Sequence, residues 1–218
     1  MRLLVTAGPT YEAIDAVRFL GNRSSGRVGA AIADAAARRS LEVRCLIGPH
    51  AQVPQQAAVN CRRFRSAEDL ERLLAEHLPW CDVLVMAAAV ADYRPAAADT
   101  GSKLRRSDGP LTLTLEPTPD LLDACARRRR PGQLLVGFAL EPETGLKDAA
   151  RAKLARKGID LIVANSLETM DADEIDARLL SAPGVEPAFD EPSGRMSKTD
   201  FAGWLLDRIA LVQGRTNT

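Results

Sequence analysis

Short apolar runs separated by segments of helical periodicity constrain the fold of this chain more than any other feature. Five runs predict strands buried on both faces, at residues 2–7, 43–47, 82–88, 134–140 and 160–164. Helical patterns lie between them, at residues 26–39, 67–78, 120–130 and 145–157. Continuous apolar strands that alternate with helices are typical of parallel sheets. We therefore predict an α/β fold: a Rossmann-like, doubly wound, mostly parallel sheet with helices on both faces.

Weaker patterns complete the predicted fold. A polar stretch at residues 93–109 precedes Leu111–Leu115, which alternates strictly between Leu and Thr and predicts a half-exposed strand in a small β excursion. We expect the loop around Lys103 to be mobile, because it has little to pack against. Residues 177–180 predict a late strand, and residues 198–212 predict a final amphipathic helix. Ser66 is a plausible N-cap for the helix that follows it.

Length and charge limit the function classes. With 218 residues, the chain suits a single domain that spans residues 1–218. Its 29 basic and 29 acidic side chains cancel, so we expect neither nucleic acid nor a membrane surface as a partner. The sequence starts directly with a strand, and no apolar run approaches the ~20 residues that span a bilayer. We therefore expect a cytoplasmic protein.

The four cysteines are not arranged as metal ligands. Cys45, Cys61, Cys81 and Cys125 form no C-x-x-C pair, and the chain has only two histidines. We expect no structural zinc site, and we expect buried free thiols at Cys45 and Cys81. The four arginines at positions 127–130 are interpreted as a solvated helix end rather than a binding patch.

In a doubly wound sheet, ligands bind beyond the carboxyl ends of the strands, so residues that follow strands carry the functional signal. Gly8-Pro9-Thr10 follows the first strand, and Ser24-Ser25-Gly26 lies where a helix begins. Unpaired N–H groups make that helix start a candidate phosphate site, although a serine-capped helix explains the same residues. After the third strand, Ala88 and Ala89 leave room for a flat ligand, and Asp92 offers a carboxylate to a hydroxyl or a metal-bound phosphate.

Two further segments are candidates for nucleotide binding. The cationic loop Lys103-Leu104-Arg105-Arg106 could close over a polyphosphate, although such a charge run is usually a solvated loop. Residues 136–141 form a buried strand that ends in Glu141. Phe138 in this strand could stack on a base, or it could pack in the core.

Seven motifs occur in a characteristic order along roughly residues 1–166. They are Thr6-Ala7-Gly8-Pro9-Thr10, Asp15 with Val17-Arg18-Phe19, Asn22-Arg23-Ser24-Ser25-Gly26, residues 88–94, residues 103–106, residues 136–139 and residues 157–165. Together they resemble the synthetase domain of the phosphopantothenoylcysteine synthetase family. The resemblance implies a ligase of coenzyme A biosynthesis that joins 4'-phosphopantothenate to L-cysteine. CTP or ATP, with Mg²⁺, would activate the carboxylate as an acyl-nucleotide with loss of pyrophosphate, and the cysteine amine would then displace the nucleoside monophosphate.

The resemblance also implies roles for individual residues. Asn22 matches the asparagine that contacts the acyl-nucleotide intermediate, and Arg18 matches an arginine that handles the intermediate or phosphopantothenate. Lys103 matches the lysine needed to form the intermediate, and the Phe138 backbone matches the group that reads the base. Together with the segments above, the predicted nucleotide-binding residues are Gly8, Pro9, Thr10, Ser24, Ser25, Gly26, Ala88, Ala89, Asp92, Lys103, Arg106 and Phe138. Asp92 is also the predicted Mg²⁺ ligand.

Partners and departures follow from the same resemblance. It implies a homodimer, and many bacterial members carry an N-terminal flavin-dependent decarboxylase domain that this sequence lacks. We therefore expect either a separate decarboxylase as a partner or a longer protein of which this sequence is a part. The family's Lys-Ile-Lys-Lys is Lys103-Leu104-Arg105-Arg106 here, and its Asn-Asp is Asn165-Ser166. Arginine does not replace lysine freely at a tight phosphate site.

These departures keep a second hypothesis open, a non-catalytic or redirected nucleotide-binding homologue. A nicotinamide-dependent Rossmann oxidoreductase is a weaker alternative that rests on the fold alone. Its glycine spacing does not match, Glu42 precedes the second strand instead of ending it, and no Tyr-x-x-x-Lys pair is present. The residues do not distinguish CTP from ATP.

Overall fold

The computed structural model describes residues 1–98, 100–105, 109–169 and 172–215. Its strands are β1 (Arg2–Ala7), β2 (Tyr11–Ala13), β3 (Phe19–Gly21), β4 (Glu42–Ile47), β5 (Asn60–Arg63), β6 (Val83–Met86), β7 (Tyr93–Pro95), β8 (Leu115–Pro117), β9 (Leu134–Glu141), β10 (Leu161–Ser166), β11 (Glu174–Ile175), β12 (Ala177–Ser181), β13 (Asp190–Pro192) and β14 (Met196–Ser197). The helices are α1 (Arg27–Arg38), α2 (Ala67–His77), α3 (Leu121–Arg128), α4 (Leu146–Lys157) and α5 (Lys198–Arg215), with 3₁₀ turns at Leu78–Trp80 and Leu167–Thr169.

Eight strands form the central sheet, in the order β13-β12-β10-β9-β6-β1-β4-β5. The six strands from β10 to β5 are parallel to one another, and β12 and β13 continue the sheet antiparallel. The chain runs outward from β1 through β4 to β5 and then returns to β6 on the other side of β1. The strand order therefore reverses between β1 and β6, as in a doubly wound sheet. The predicted α/β fold is confirmed.

Helices cover both faces of the sheet and divide the core into two layers. On one face α1 and α5 pack through Ile32 and Phe201, both completely buried. On the other face α2, α3 and α4 contribute Leu70, Leu122 and Leu154. Among the described helices, none combines the length and the apolar character needed to cross a membrane.

Several elements differ from the sequence prediction. Strand β5 escaped the prediction because its polar edge sequence, Asn-Cys-Arg-Arg, has no apolar run. The predicted strand at Leu111–Leu115 is wrong over residues 111–114, because β8 begins only at Leu115 and pairs with β7. Leu111 and Leu113 are 62% and 38% exposed, so the alternation there buries neither side chain. The small β excursion itself, formed by β7 and β8, is confirmed.

Helix ends and charged clusters also test the predictions. Ser66 caps α2 as predicted, in a capping box with Asp69. A serine cap on α1 is wrong, because the N-cap is Gly26 in the left-handed region and no side chain caps it. The solvated arginine cluster is also wrong in part: Arg129 pairs with Asp160 at 2.6 Å and Arg130 with Asp82 at 2.8 Å.

Cys45 and Cys81 are free thiols, as predicted, and so are Cys61 and Cys125. Cys45, Cys81 and Cys125 are buried, whereas Cys61 is partly exposed. Burial raises the pKa of Cys81 to about 11 and that of Cys125 to about 12, so both remain protonated at neutral pH. A nucleophilic role for either thiol is therefore disfavoured.

Gly26→Ala is expected to destabilise the protein more than Gly145→Ala. Both glycines are helix N-caps with positive φ, 70° and 82°, so alanine strains the backbone at both by about 1–2 kcal/mol. A Cβ at Gly26 would lie 2.6 Å from the Ala51 Cβ, whereas a Cβ at Gly145 meets nothing within 4 Å. We expect the free energy of unfolding, measured with urea, to fall by about 2 kcal/mol more in Gly26→Ala than in Gly145→Ala. Equal losses would contradict this contact.

Asp82→Asn tests the ion pairs that Asp82 forms at the amino end of β6. The Asp82 carboxylate accepts hydrogen bonds from the Arg2 guanidinium and from Arg130, both at 2.8 Å, and these hold its pKa well below the usual range. A depressed folded-state pKa stabilises the protein above the unfolded-state pKa of about 4, and the gain is lost as the pH falls through the folded-state value. The variant should therefore lose on the order of 1 kcal/mol at neutral pH. The difference in free energy of unfolding between the two proteins, measured with urea, should narrow below about pH 4. A difference that does not change with pH would contradict the ion pairs.

Candidate functional site

An open cavity of about 820 Å³ lies beyond the carboxyl ends of β6, β9 and β10, where the strand order reverses. Its size is in the range of small-molecule sites. The walls are formed by residues 21–29, residues 86–90 with Asp92, residues 118–122, the ends of β9 and β10, and the facing side of α4. This is the edge of the sheet at which the sequence placed the functional residues.

The start of α1 forms one wall of this cavity. Ser24, Ser25 and Gly26 line it, as do the first residues of the helix. No side chain caps this helix, and its first turn contains no acidic residue. The N–H groups of a helix start without a cap, together with the helix dipole, favour an anion such as phosphate. Gly29 lets this turn approach the sheet, since a Cβ there would lie 2.6 Å from the Ala7 Cβ.

Gly8, Pro9 and Thr10 lie behind the cavity wall rather than on it. All three are buried, and none of them lines the cavity. The Thr10 N–H donates to the Ala89 carbonyl at 3.1 Å, and the Thr10 hydroxyl accepts from the Ala91 N–H at 2.9 Å. In this structure these residues hold the segment after β6 in place, and their predicted contact with a nucleotide stays a prediction.

The wall that they support contains Ala88, Ala89 and Phe138. Asn22 lies beside it and donates from its side-chain amide to the Val90 carbonyl at 3.0 Å. That bond fixes the Asn22 amide at the rim of the cavity, between the end of β3 and the segment after β6. An amide nitrogen carries two N–H groups, so this bond uses only one of them.

The charge lining the cavity is net positive although the chain is neutral. Five cationic side chains line it, Arg23, Arg27, Lys153, Lys157 and Lys198, against three acidic ones, Asp92, Asp120 and Glu141. A cavity with a cationic excess attracts anionic ligands. The chain's zero net charge hides this local field.

Lys153 and Lys157 lie one turn apart on α4 and line the cavity. Lys157 begins the family motif at residues 157–165, but neither lysine was predicted as a site residue. The Lys153 ammonium donates to the Phe138 carbonyl at 2.9 Å, and Lys157 pairs with the Asp120 carboxylate. Burial lowers the pKa of both lysines, and the negative charge of Asp92 opposes that shift. The spacing of the two lysines on a predicted helix was the one available signal.

Asp92 and Glu141 are the candidate metal ligands among the acidic side chains that line the cavity. Among the described residues, no group of three His, Cys, Asp or Glu side chains could hold a metal ion. Mg²⁺ prefers one or two carboxylates together with phosphate oxygens, and the Asp92 carboxylate could supply one protein ligand of such a set. The role of Asp92 as a metal ligand remains a prediction.

Arg18 and Lys103 lie outside the cavity wall. Arg18 is at the tip of the β2–β3 hairpin, where its guanidinium contacts the Asp15 carboxylate at 2.8 Å. Lys103 is exposed in the excursion, but its neighbours are hydrogen-bonded to the hairpin tip. The expectation that this loop packs against little is therefore wrong for residues 102–104. Arg106 lies outside the described residues.

Comparison with known proteins identifies close relatives. The family described as DNA/pantothenate metabolism flavoprotein C-terminal domain matches residues 1–212. The coenzyme A biosynthesis bifunctional protein CoaBC of Mycobacterium tuberculosis is 42% identical over 219 aligned residues, which cover 95% of this chain and 51% of the relative. The chain thus spans about half the length of the curated relatives it matches.

Solved structures agree with this result. The C-terminal domain of a coenzyme A biosynthesis bifunctional protein CoaBC is 32% identical, with a TM-score of 0.78, and the match covers 95% of this chain and 93% of that one. The DNA/pantothenate metabolism flavoprotein of Streptococcus pneumoniae is 27% identical, with a TM-score of 0.82 and coverage of 96% and 98%. The chain belongs to the family of DNA/pantothenate metabolism flavoprotein C-terminal domains.

Proposed function

We propose that this protein is a ligase that joins 4'-phosphopantothenate to L-cysteine in coenzyme A biosynthesis. It uses CTP or ATP, releases pyrophosphate and passes through an acyl-nucleotide intermediate. The observation that carries the proposal is the cationic cavity at the strand-order reversal, with the uncapped start of α1 in its wall. Both substrates that must meet there, a nucleoside triphosphate and a phosphorylated carboxylate, are anions.

The chemistry requires activation of a poor electrophile. A carboxylate oxygen of phosphopantothenate attacks the α-phosphorus of the nucleotide, and pyrophosphate leaves. The amine of cysteine then attacks the acyl carbon, the amide forms, and the nucleoside monophosphate leaves with the bridging oxygen. Positioning and charge neutralisation supply most of the rate in such a sequence.

The residues of the cavity suit these two steps. The start of α1 and the ammonium groups of Lys153 and Lys157 bind phosphate charge, while the small side chains of Ala88 and Ala89 admit the nucleoside. The Asn22 amide, held by the Val90 carbonyl, is placed to donate to the acyl oxygen. Asp92 would hold Mg²⁺, which neutralises triphosphate charge when bound.

A second candidate is a nucleotide-binding homologue without ligase activity. It is favoured by the position of Arg18 and Lys103 outside the cavity wall, together with Ser166 in place of a family aspartate. Such a protein would bind the nucleotide but would not release pyrophosphate.

Pyrophosphate release separates the two candidates. The protein is mixed with Mg²⁺, 4'-phosphopantothenate and either CTP or ATP, and cysteine is added last. The ligase gives pyrophosphate that depends on phosphopantothenate, and amide product only after cysteine is added. Nucleotide binding without turnover of either nucleotide would support the non-catalytic homologue. Binding of a nicotinamide cofactor, tested in parallel, would contradict both.

Lys153→Gln is expected to weaken nucleotide binding, and Lys147→Gln is the matched control. Both lysines lie on α4, but Lys147 pairs with Asp190 and does not line the cavity. Loss of one charge-assisted hydrogen bond costs about 1.5–3 kcal/mol, or a roughly 10- to 150-fold rise in Kd. Calorimetric titration with the nucleotide that is turned over measures the change. Equal nucleotide affinities of the two variants would show that Lys153 does not contribute to nucleotide binding.

The proposal extends to a homodimer and to a decarboxylase as a partner or as an adjoining domain. Exposed apolar side chains on the excursion, Tyr93, Leu111, Leu113 and Leu115, support a protein contact there. The relatives named as bifunctional proteins are about twice as long as this chain, which is consistent with a second activity beside it. Light scattering of the purified protein gives the mass, and a monomer at micromolar concentration would contradict the dimer.

A further inference from the structure

Asp15 is a fully buried carboxylate at the tip of the β2–β3 hairpin, and its side chain is 0% exposed. One oxygen accepts the backbone N–H groups of Val17 at 2.8 Å and of Arg18 at 2.6 Å. The other accepts the Arg18 guanidinium at 2.8 Å and the backbone N–H of Leu104 at 3.1 Å. The four donors compensate the burial of the charge, and the backbone N–H of Arg18 is the largest cause that holds the pKa of Asp15 below its usual value.

The bond to Leu104 reaches another part of the chain, the excursion that carries Lys103. Two further hydrogen bonds join the same two segments: the Ala16 N–H donates to the Ser102 carbonyl at 2.9 Å, and the Arg18 guanidinium donates to the Leu104 carbonyl at 3.3 Å. The backbone is therefore held on both sides of Lys103, while the Lys103 side chain is exposed.

The two oxygens of Asp15 serve different purposes. The first closes the hairpin turn, a task that the carbonyl of an asparagine also performs. The second accepts from two donors, the Arg18 guanidinium and the backbone N–H of Leu104 in the excursion. Only an ionised acid accepts on both oxygens at once, whereas an amide presents N–H groups on one side. The acid is therefore explained by the link to Arg18 and Lys103 rather than by the turn.

We propose that Asp15 is a positioning residue that joins Arg18 and the Lys103 segment into one cationic unit beside the cavity. The inference rests on the proposed ligase function and deepens it, because it explains how two residues outside the cavity wall act in a fixed relation to Asn22 at the base of the same hairpin. Asp15 itself touches no substrate.

Asp15→Asn tests the link without an assay of activity, and Asp34→Asn is the matched control. Asp34 is also a buried carboxylate, and it accepts the backbone N–H groups of Gln55 and Gln56 at 2.8 and 2.9 Å, away from the excursion. In Asp15→Asn the Leu104 amide should exchange with solvent at least about tenfold faster by NMR. In Asp34→Asn it should remain as in the wild type. Unchanged Leu104 exchange in Asp15→Asn overturns the link, whether or not the protein is a ligase.

The rate of pyrophosphate release tests the positioning role. Asp15→Asn should lower kcat by about 10- to 100-fold with little change in nucleotide affinity, while Asp34→Asn keeps the wild-type rate. Because Asp15 acts through both Arg18 and Lys103, adding Asp15→Asn to the double variant Arg18→Gln/Lys103→Gln should slow it no further. Additive losses would show a merely structural role and overturn the proposal.

A second variant covers the case in which Asp15→Asn does not fold. Leu104→Pro removes the N–H on the excursion side and leaves Asp15 and the hairpin turn in place. It should reproduce the loss in kcat, and a wild-type kcat would overturn the link. If the wild-type protein releases no pyrophosphate at all, the proposed function fails, and the Leu104 exchange measurement still decides the link.

Discussion

The site depends on one contact, the pairing of the chain beyond β1 with the chain beyond β6. Parallel neighbours at a strand-order reversal send their following segments to opposite faces of the sheet, which opens a crevice. Here the Ala89 N–H donates to the Gly8 carbonyl at 2.9 Å. The Thr10 N–H donates to the Ala89 carbonyl and the Thr10 hydroxyl accepts from the Ala91 N–H, so these bonds hold this wall of the crevice in place. Gly8 permits this with φ at +85°, since a Cβ there would lie 2.4 Å from the Ala51 Cβ.

The pairing of these two segments explains why the family motifs take different positions in the site. The Gly-Pro-Thr motif after β1 is buried behind the wall, whereas Asn22 and the start of α1 line the cavity. Charge is arranged in the same way: the cations of the cavity come from α1, α4, α5 and the segment before α1, and each acts only because the sheet brings those elements to one edge. Neutral overall charge and a cationic site are therefore compatible.

Much of the fold could be predicted from the sequence, because buried parallel strands have continuous apolar runs that local periodicity reveals. The edge strand at Asn60–Arg63 has no such run, and residues 111–114 have the alternation of a strand without burial. Family motifs identified Asn22, Ala88 and Phe138, which line the cavity, and Arg18 and Lys103, which do not. Lys153 and Lys157 were not predicted as site residues, because their spacing shows only that they share a face of α4, whereas their approach to Phe138 and Asp120 is set by the packing of α4 on the sheet.

The proposed activation of the carboxylate, by transfer of a nucleotidyl group to it with loss of pyrophosphate, is tested most directly by following an oxygen isotope. The protein is incubated with Mg²⁺, cysteine, nucleotide and phosphopantothenate labelled with ¹⁸O in its carboxylate, and the masses of the products are measured by mass spectrometry. An acyl-nucleotide intermediate predicts one ¹⁸O atom in the nucleoside monophosphate and none in the pyrophosphate. Label in inorganic phosphate would indicate an acyl phosphate instead, and an unlabelled monophosphate would contradict the account.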